Sequence, residues 1–488
     1  MSALAKLTPA PIWKYFEEIC KIPRLSKQED KVRKYLLDFA LHHELESKTD
    51  KAGNVLITRP ASESHENVKT LTLQCHMDMV GEKEHGSEHN WSTDPVLPFI
   101  DGDWVKARGT TLGADDGIGM ASQLALLSDE NLRTGKIESL FTVDEESGMT
   151  GALNLDTEFF EGRTLINLDS EDEGILFIGC AGGMDTVCNL RFLPEQVPDH
   201  MLSYKIYLSG LHGGHSGDEI HKGFGNSIKL MTRILSDLSE SFGIRISRFE
   251  GGNLRNAIPR DALAEIIVDQ KYRDKLINRI VFFEELFTGE FKSVESSIKL
   301  SVTENPVPDK IISGKTQTSL LKSLTCCPHG VIAWSADMED LVETSTNLAS
   351  IKFTTDDVIS VVTTQRSSLQ SSKIETATSV RSCFEIEGFN VSHSDGYPGW
   401  KPDLQSEILN LTDNSYKKLF GKNPSVRAIH AGLECGIIYE KFKGIDMISF
   451  GPTIRGAHTT EERIEIKTVS MFWDLLIDII HNIPLKSR

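Results

Sequence analysis

The chain has 488 residues, 39% of them hydrophobic and 25% charged, an ordinary composition for a globular protein with more than one core. Its 52 basic residues against 71 acidic ones give a net charge of -19, which argues against nucleic acid or an anionic membrane as partner. No run reaches the ~20 apolar residues of a membrane helix, the start lacks the apolar stretch of a secretory signal, and eight scattered cysteines without a Cys-x-x-Cys pair suit a reducing cytoplasm.

Helical spacing of apolar residues predicts amphipathic helices over 12–21 and 28–43, with Val32, Tyr35, Leu36, Phe39 and Ala40 on one stripe of the second. The turn Gly53-Asn54 leads into a short strand at 55–58. A longer apolar run over 69–75 ends in His76-Met77-Asp78 and then stays apolar. Residues two apart on a strand share a face. Asp78 can therefore accept a proton from one ring nitrogen of His76 and leave the other free for a metal. The bland alternative is a core histidine satisfied by its neighbour. A charged loop (81–94) follows, then a glycine-rich turn feeding a helix over 116–129. Strands over 138–144 and 164–169 each end in acidic residues. Strands alternating with helices predict an α/β fold with a mostly parallel sheet flanked by helices. In such sheets, sites lie at the carboxyl ends of the strands.

The texture changes near residue 187. A strand at 202–208 runs into His212-Gly213-Gly214-His215-Ser216-Gly217, then a helix (226–239), a strand (262–268) and a helix-rich acidic stretch (271–300). A similar succession recurs as helix 316–324, strands 341–353 and 358–366, and helix 370–384. The pattern reads as an inserted α+β domain over 188–396, with two related halves. The earlier style resumes over 397–488, with a helix at 405–420, a strand at 446–450 and a last helix at 467–482. Residues 1–187 and 397–488 are thus expected to form one discontinuous domain.

Five predicted loops at one sheet edge carry His76 and Asp78, Asp115-Asp116, Glu145-Glu146, Asp169 and His458. Any one of these acids fits a helix cap. Together they suit two divalent ions sharing a carboxylate, and mixed imidazole and carboxylate ligation favours zinc, with cobalt or manganese as substitutes. Gly86 breaks the His85/His89 pair, and Cys326-Cys327-Pro328-His329 lacks a second ligand pair. Gly113-x-x-x-Gly117-x-Gly119 makes a poor phosphate loop, because Asp115 and Asp116 sit where phosphate would approach.

Several segments carry a family resemblance: Gln74–Val80, Lys106–Gly119, Asp144–Met149, Ile166–Glu171, Gly213–Gly217, Leu254–Arg260, His430–Gly436 and the stretch ending at His458. Through them essentially the whole chain resembles the aminoacyl-histidine dipeptidases, also called Xaa-His or cytosolic non-specific dipeptidases, within the dizinc exopeptidase superfamily. The resemblance implies two Zn2+ per chain held by His76, Asp115, Glu146, Asp169 and His458, with Asp115 bridging. It implies Asp78 as the acid that orients His76 and Glu145 as the general base. Asp116 stands where this subfamily often has Asn, and it is expected to cap or support rather than bridge. His215 resembles the donor to the tetrahedral oxyanion, on an inserted domain acting as a lid. Asn256 and Arg366 are candidates for the substrate's terminal carboxylate, and Glu434 for its amino group or a histidine ring. The implied protein is a cytoplasmic dipeptidase for dipeptides with a free amino end, β-alanyl-histidine among them, and a homodimer. A tripeptide aminopeptidase or an N-acyl amino acid hydrolase would use the same site, and an inactive metal- or peptide-binding protein is the reading without catalysis.

Overall fold

The computed structural model describes residues 4–355 and 357–486. The chain forms two compact units. The first takes the chain up to Gly179, Pro402–Ala428, and Leu433 onward; the second takes Cys180–Lys401 and Ile429–Gly432.

The first unit is built on an eight-stranded sheet. Its strands run in the order Glu46–Thr49, Val55–Arg59, Ile137–Thr142, Leu71–His76, Thr164–Asn167, Asp446–Ser449, Ile175–Cys180 and Ser425–Ile429. The four central strands are parallel to one another. The margin beyond Ile137–Thr142 is antiparallel, as is the pairing of Asp446–Ser449 with Ile175–Cys180. Leu71–His76 and Ile137–Thr142 are buried at every position, as parallel strands covered on both faces are. Helix Ala114–Ser128 is apolar nearly all round and almost wholly buried, the pattern of a helix inside a core. The amphipathic helix Ala10–Cys20 packs on it through Ile12, Trp13, Phe16 and Ile19.

The central strands stop short of the acids expected at their ends. The first ends at His76, the second at Thr142 and the third at Asn167. Asp78, Glu145, Glu146 and Asp169 therefore lie in the turns beyond. Past the strand ends these carboxylates meet backbone amides and imidazoles, which offset the hydration lost on burial.

The second unit holds a nine-stranded sheet in which every recorded pairing is antiparallel. Strand Gly182–Arg191 pairs with Val358–Ser367 along its whole length. The expected boundary at 187/188 falls in the middle of that strand, and the bridges Cys180–Trp400 and Gly183–Tyr397 keep 397–400 with this unit. The two expected halves share one continuous sheet. Helix Ser227–Phe242 covers it, with the Asn226 side chain accepting from the amides of Ile228 and Lys229. Such a cap contributes about 1 kcal/mol. Phe249, on strand Arg245–Gly251, lies fully buried in this unit's core. Phe249→Ala should cost about 3–5 kcal/mol in urea unfolding followed in the second unit; a loss below about 1 kcal/mol would mean the core repacks around the gap.

Candidate metal centre

Three of the parallel strands lead to His76, Glu145-Glu146 and Asp169, and the start of helix Ala114–Ser128 and the loop after strand Ile454–Arg455 bring Asp115 and His458 to them in the first unit. His76 Nε2 lies 2.9 Å from Asp115 Oδ1 and 3.5 Å from Asp169 Oδ1. His458 Nε2 lies 3.3 Å from Asp115 Oδ2 and 2.9 Å from Glu146 Oε2. His76, Asp115 and Asp169 thus form one cluster, and Asp115, Glu146 and His458 a second, the ligand atoms of each lying within 4.8 Å of one another. Asp115 belongs to both and turns a different oxygen to each. A third cluster joins His76 to Glu145 and Glu146. The donor set fits a pair of divalent cations: imidazole and carboxylate in each cluster, and one carboxylate common to two.

The electrostatics show what these groups do without a cation. Burial opposes protonation of His76, but Asp169, Asp115 and Asp78 outweigh it and raise its pKa well above the usual imidazole range. Hydrogen bonds that the His458 ring donates to Asp115 and Glu146 lift its pKa to about 11. Burial would raise Asp115, yet the two imidazoles hold it well below the usual carboxylate range.

Asp78 works from the turn rather than from the strand. Its Oδ1 stands 3.4 Å from His76 Nδ1, close but without hydrogen-bond alignment. Its carboxylate also accepts the backbone amides of Glu145 (3.0 Å) and Glu146 (3.2 Å) and the Ser26 hydroxyl (2.8 Å). Those donors and His76 outweigh burial and hold its pKa down at about 2. Asp116 Oδ1 accepts from the amide of Gly119 at 3.0 Å; Asp115 and Asp116 have non-helical backbone, so this bond caps the regular turns of helix Ala114–Ser128 that follow them. Glu145 is half-buried; desolvation, with Asp169, Glu434 and Glu146 nearby, raises its carboxyl well above the usual range.

Beneath these loops a chain of buried side chains crosses the ends of the four parallel strands. Thr142 Oγ1 and Gln74 Nε2 each donate to Glu434 Oε2 at 2.7 Å. Gln74 Oε1 accepts from Asn167 Nδ2 at 2.6 Å, and Asn167 Oδ1 accepts from Ser449 Oγ at 2.6 Å and from the amide of Asp169 at 3.3 Å. Glu434 opens helix Glu434–Lys441 and is 1% exposed, and burial lifts its carboxyl to about 8. Its other oxygen, Oε1, has no hydrogen-bond partner among the described residues.

The remaining candidates lie in the second unit. The loops of His215 and Asn256 are joined by the Ser216 amide donating to the Asn256 carbonyl at 2.8 Å. His215 Nδ1 accepts from the Asp218 amide at 3.1 Å. Asn256 and Arg366 line one cleft of about 200 Å3 with Asp185, Arg255 and Tyr397. Arg366 is 6% exposed; its Nη1 donates to the Tyr397 hydroxyl at 3.0 Å, while its Nε has no partner among the described residues. His430 pairs with Ser345 at 2.7 Å, and burial, with Arg366 nearby, lowers its pKa to about 3. Asn256 and Arg366 thus come together in this unit, whereas Glu434 belongs to the first. Sequence reading gave no role to Ser26, Asn167 or Thr142. Their side-chain partners lie tens to hundreds of positions away, and no local spacing marks them.

Known proteins resemble this chain along its length. It is 40% identical over 486 residues, 100% of both chains, to the cytosol non-specific dipeptidase of Escherichia coli strain K12. It superposes on the aminoacylhistidine dipeptidase of Vibrio alginolyticus with a TM-score of 0.94 and 39% identity over 99% of each chain. The fold is shared with the aminopeptidase PepT of Bacillus cereus, at a TM-score of 0.58 and 18% identity over 98% of this chain and 99% of that one. Residues 72–482 match Peptidase family M20/M25/M40, and the chain belongs to that family, a metallopeptidase that hydrolyses peptide bonds.

Proposed function

We propose that the protein is a cytoplasmic dipeptidase that cleaves dipeptides with a free amino end, Xaa-His among them, using two zinc ions. His76, Asp115 and Asp169 would hold one ion, and Asp115, Glu146 and His458 the other. The observation that carries the reading is Asp115, which turns one oxygen toward each of two His–carboxylate clusters. The names of the relatives at 40% and 39% identity support the substrate class.

Such ions, when bound, supply Lewis acidity that polarises the scissile carbonyl and acidifies water. The remaining steps belong to side chains. Glu145 takes a proton from the attacking water and delivers it to the leaving amine. Its desolvated, acid-crowded setting raises its proton affinity toward that task. Asp78 faces the ring of His76 with its charge and, through two amides, fixes the turn that carries Glu145. Glu434 Oε1, a buried oxygen left without a partner among the described residues, suits the substrate's ammonium, whose charge would favour the ionised carboxylate. Arg366 and Asn256 suit its terminal carboxylate, with the guanidinium Nε available for a charge-assisted bond. His215 keeps the oxyanion-donor role that the resemblance implies.

Three measurements check this reading. Glu145→Gln should retain two divalent ions per chain by elemental analysis and lose at least about 100-fold in kcat; turnover near the wild-type level would remove Glu145 as the base. In a panel of free dipeptides, tripeptides and N-acetyl amino acids, the dipeptides should be preferred, and Glu434→Gln should raise KM for free-amine dipeptides more than for N-acetyl substrates. Preference for the tripeptide or the acylated amino acid would reassign the substrate. Assembly as a homodimer belongs to the same proposal, and sedimentation equilibrium should give about twice the 54.3 kDa of one chain; a monomer mass would exclude it.

A further inference from the structure

The glycine pattern Gly113-x-x-x-Gly117-x-Gly119 has a use other than holding phosphate. Arg24, in the turn after the first helix, is 3% exposed. Its Nη1 donates to the carbonyls of Met77 (2.9 Å) and Asp78 (2.6 Å), and its Nη2 to the carbonyl of Gly113 (2.5 Å). A methyl group added to Gly113 or to Gly117 would stand 2.7 Å from that same Nη2. The two glycines therefore form a cradle that a guanidinium fills. The third glycine makes room for an acid: a side chain at Gly119 would run into the carboxylate of Asp116.

Glu462 holds the same loop through its amides. It is 3% exposed, and its Oε2 accepts from the amides of Leu112 (2.8 Å) and Gly113 (2.9 Å). Its Oε1 accepts from the amides of Ala114 (2.7 Å) and Asp115 (3.4 Å). A buried cation thus takes carbonyl oxygens, and a buried anion takes the amides, of the loop that presents Asp115. Each also reaches a second ligand-bearing turn. Arg24 grips the backbone after His76, and Glu462 lies four residues beyond His458.

We propose that Arg24, seated between Gly113 and Gly117, and Glu462 are positioning residues that fix the Asp115 carboxylate between its two clusters and thereby set the cation affinity of the site. The proposal rests on the reading of Asp115 as a shared ligand. Arg24 lies before the segment 72–482 that matches the family, so the N-terminal segment contributes to the centre through this clamp.

The test is the Zn2+ affinity of the full-length, chelator-stripped chain, measured by competition with a chromogenic chelator. Circular dichroism confirms folding of each variant. Arg24→Lys and Glu462→Gln should each weaken binding about 10–100-fold. In Glu462→Gln an amide NH2 would face backbone donors that now share one carboxylate. Gly117→Ala separates positioning from simple stability, because in an ordinary helix it would be neutral or stabilising by up to ~1 kcal/mol. Here it should weaken Zn2+ binding in the presence of Arg24 and have no further effect in an Arg24→Ala background. Asp115→Asn tests the underlying reading: if it binds two Zn2+ with unchanged affinity, Asp115 is not a shared ligand. If Asp115→Asn loses affinity while folded Arg24→Lys, Glu462→Gln and Gly117→Ala bind as the wild type does, the clamp alone is overturned.

Discussion

The carboxylate of Asp78 is the constraint on which the centre depends. It is completely buried, its two oxygens accept from the Glu145 amide, the Glu146 amide and the Ser26 hydroxyl, and the ring of His76 stands 3.4 Å away. A buried carboxylate without donors would sit protonated or destabilise the fold by several kcal/mol. With these donors it stays ionised, and its satisfaction requires the turn after Thr142 to lie against the turn after His76. One charge therefore fixes the proposed base and a proposed ligand relative to each other, and sets both beside an imidazole. Their placement relative to each other follows from solvation, not from the propensities of the residues themselves.

The same economy appears one layer down. Glu434, Gln74, Thr142, Asn167 and Ser449 cross four parallel strands in one hydrogen-bonded chain. Each such bond adds only about 0.5–1.5 kcal/mol net, whereas a buried group left unpaired costs about 1–3 kcal/mol. The network therefore contributes more to register than to raw stability. A strand slipped by one residue would turn Gln74 away and strand its partners. Asn167 passes that register on to Asp169 through its backbone amide.

Much of this was legible in the sequence. The apolar run before His76, the acids following apolar strands, and the helices near 12–21, 28–43 and 467–482 all reflect local periodicity, and the structure places elements over those stretches. The six residues expected at the metal centre and its base, His76, Asp115, Glu145, Glu146, Asp169 and His458, converge within the first unit. Periodicity failed where the chain is short or exposed. The strand Glu46–Thr49 is exposed throughout, and Gly330–Trp334 is interrupted by register shifts. The domain boundary was misplaced because Gly182–Arg191 looks like any strand; only its partner Val358–Ser367 assigns it. Arg24 and Glu462 were invisible for a different reason. Their partners are backbone atoms, so no side-chain pattern announces them, and a glycine spacing that resembled a failed phosphate loop is explained once a guanidinium is seen in it.

The position of Asp446–Ser449 between Thr164–Asn167 and Ile175–Cys180 has a consequence for biogenesis. The two flanking strands are made early and lie close in sequence, yet they are kept apart by a strand that leaves the ribosome near the end of synthesis. Chains emerge from the amino terminus onward, so for most of translation Thr164–Asn167 has one unpaired edge and Ile175–Cys180 two, since its other neighbour, Ser425–Ile429, is also made late. Such edges are templates for pairing with other chains. His458 and Glu462 arrive after that late strand, so the space between the two flanking strands is filled and the centre is completed in the same final stretch of translation. A nascent chain thus gains that strand's pairing and the last of the candidate ligands together, and a product cut short before Asp446 would have neither.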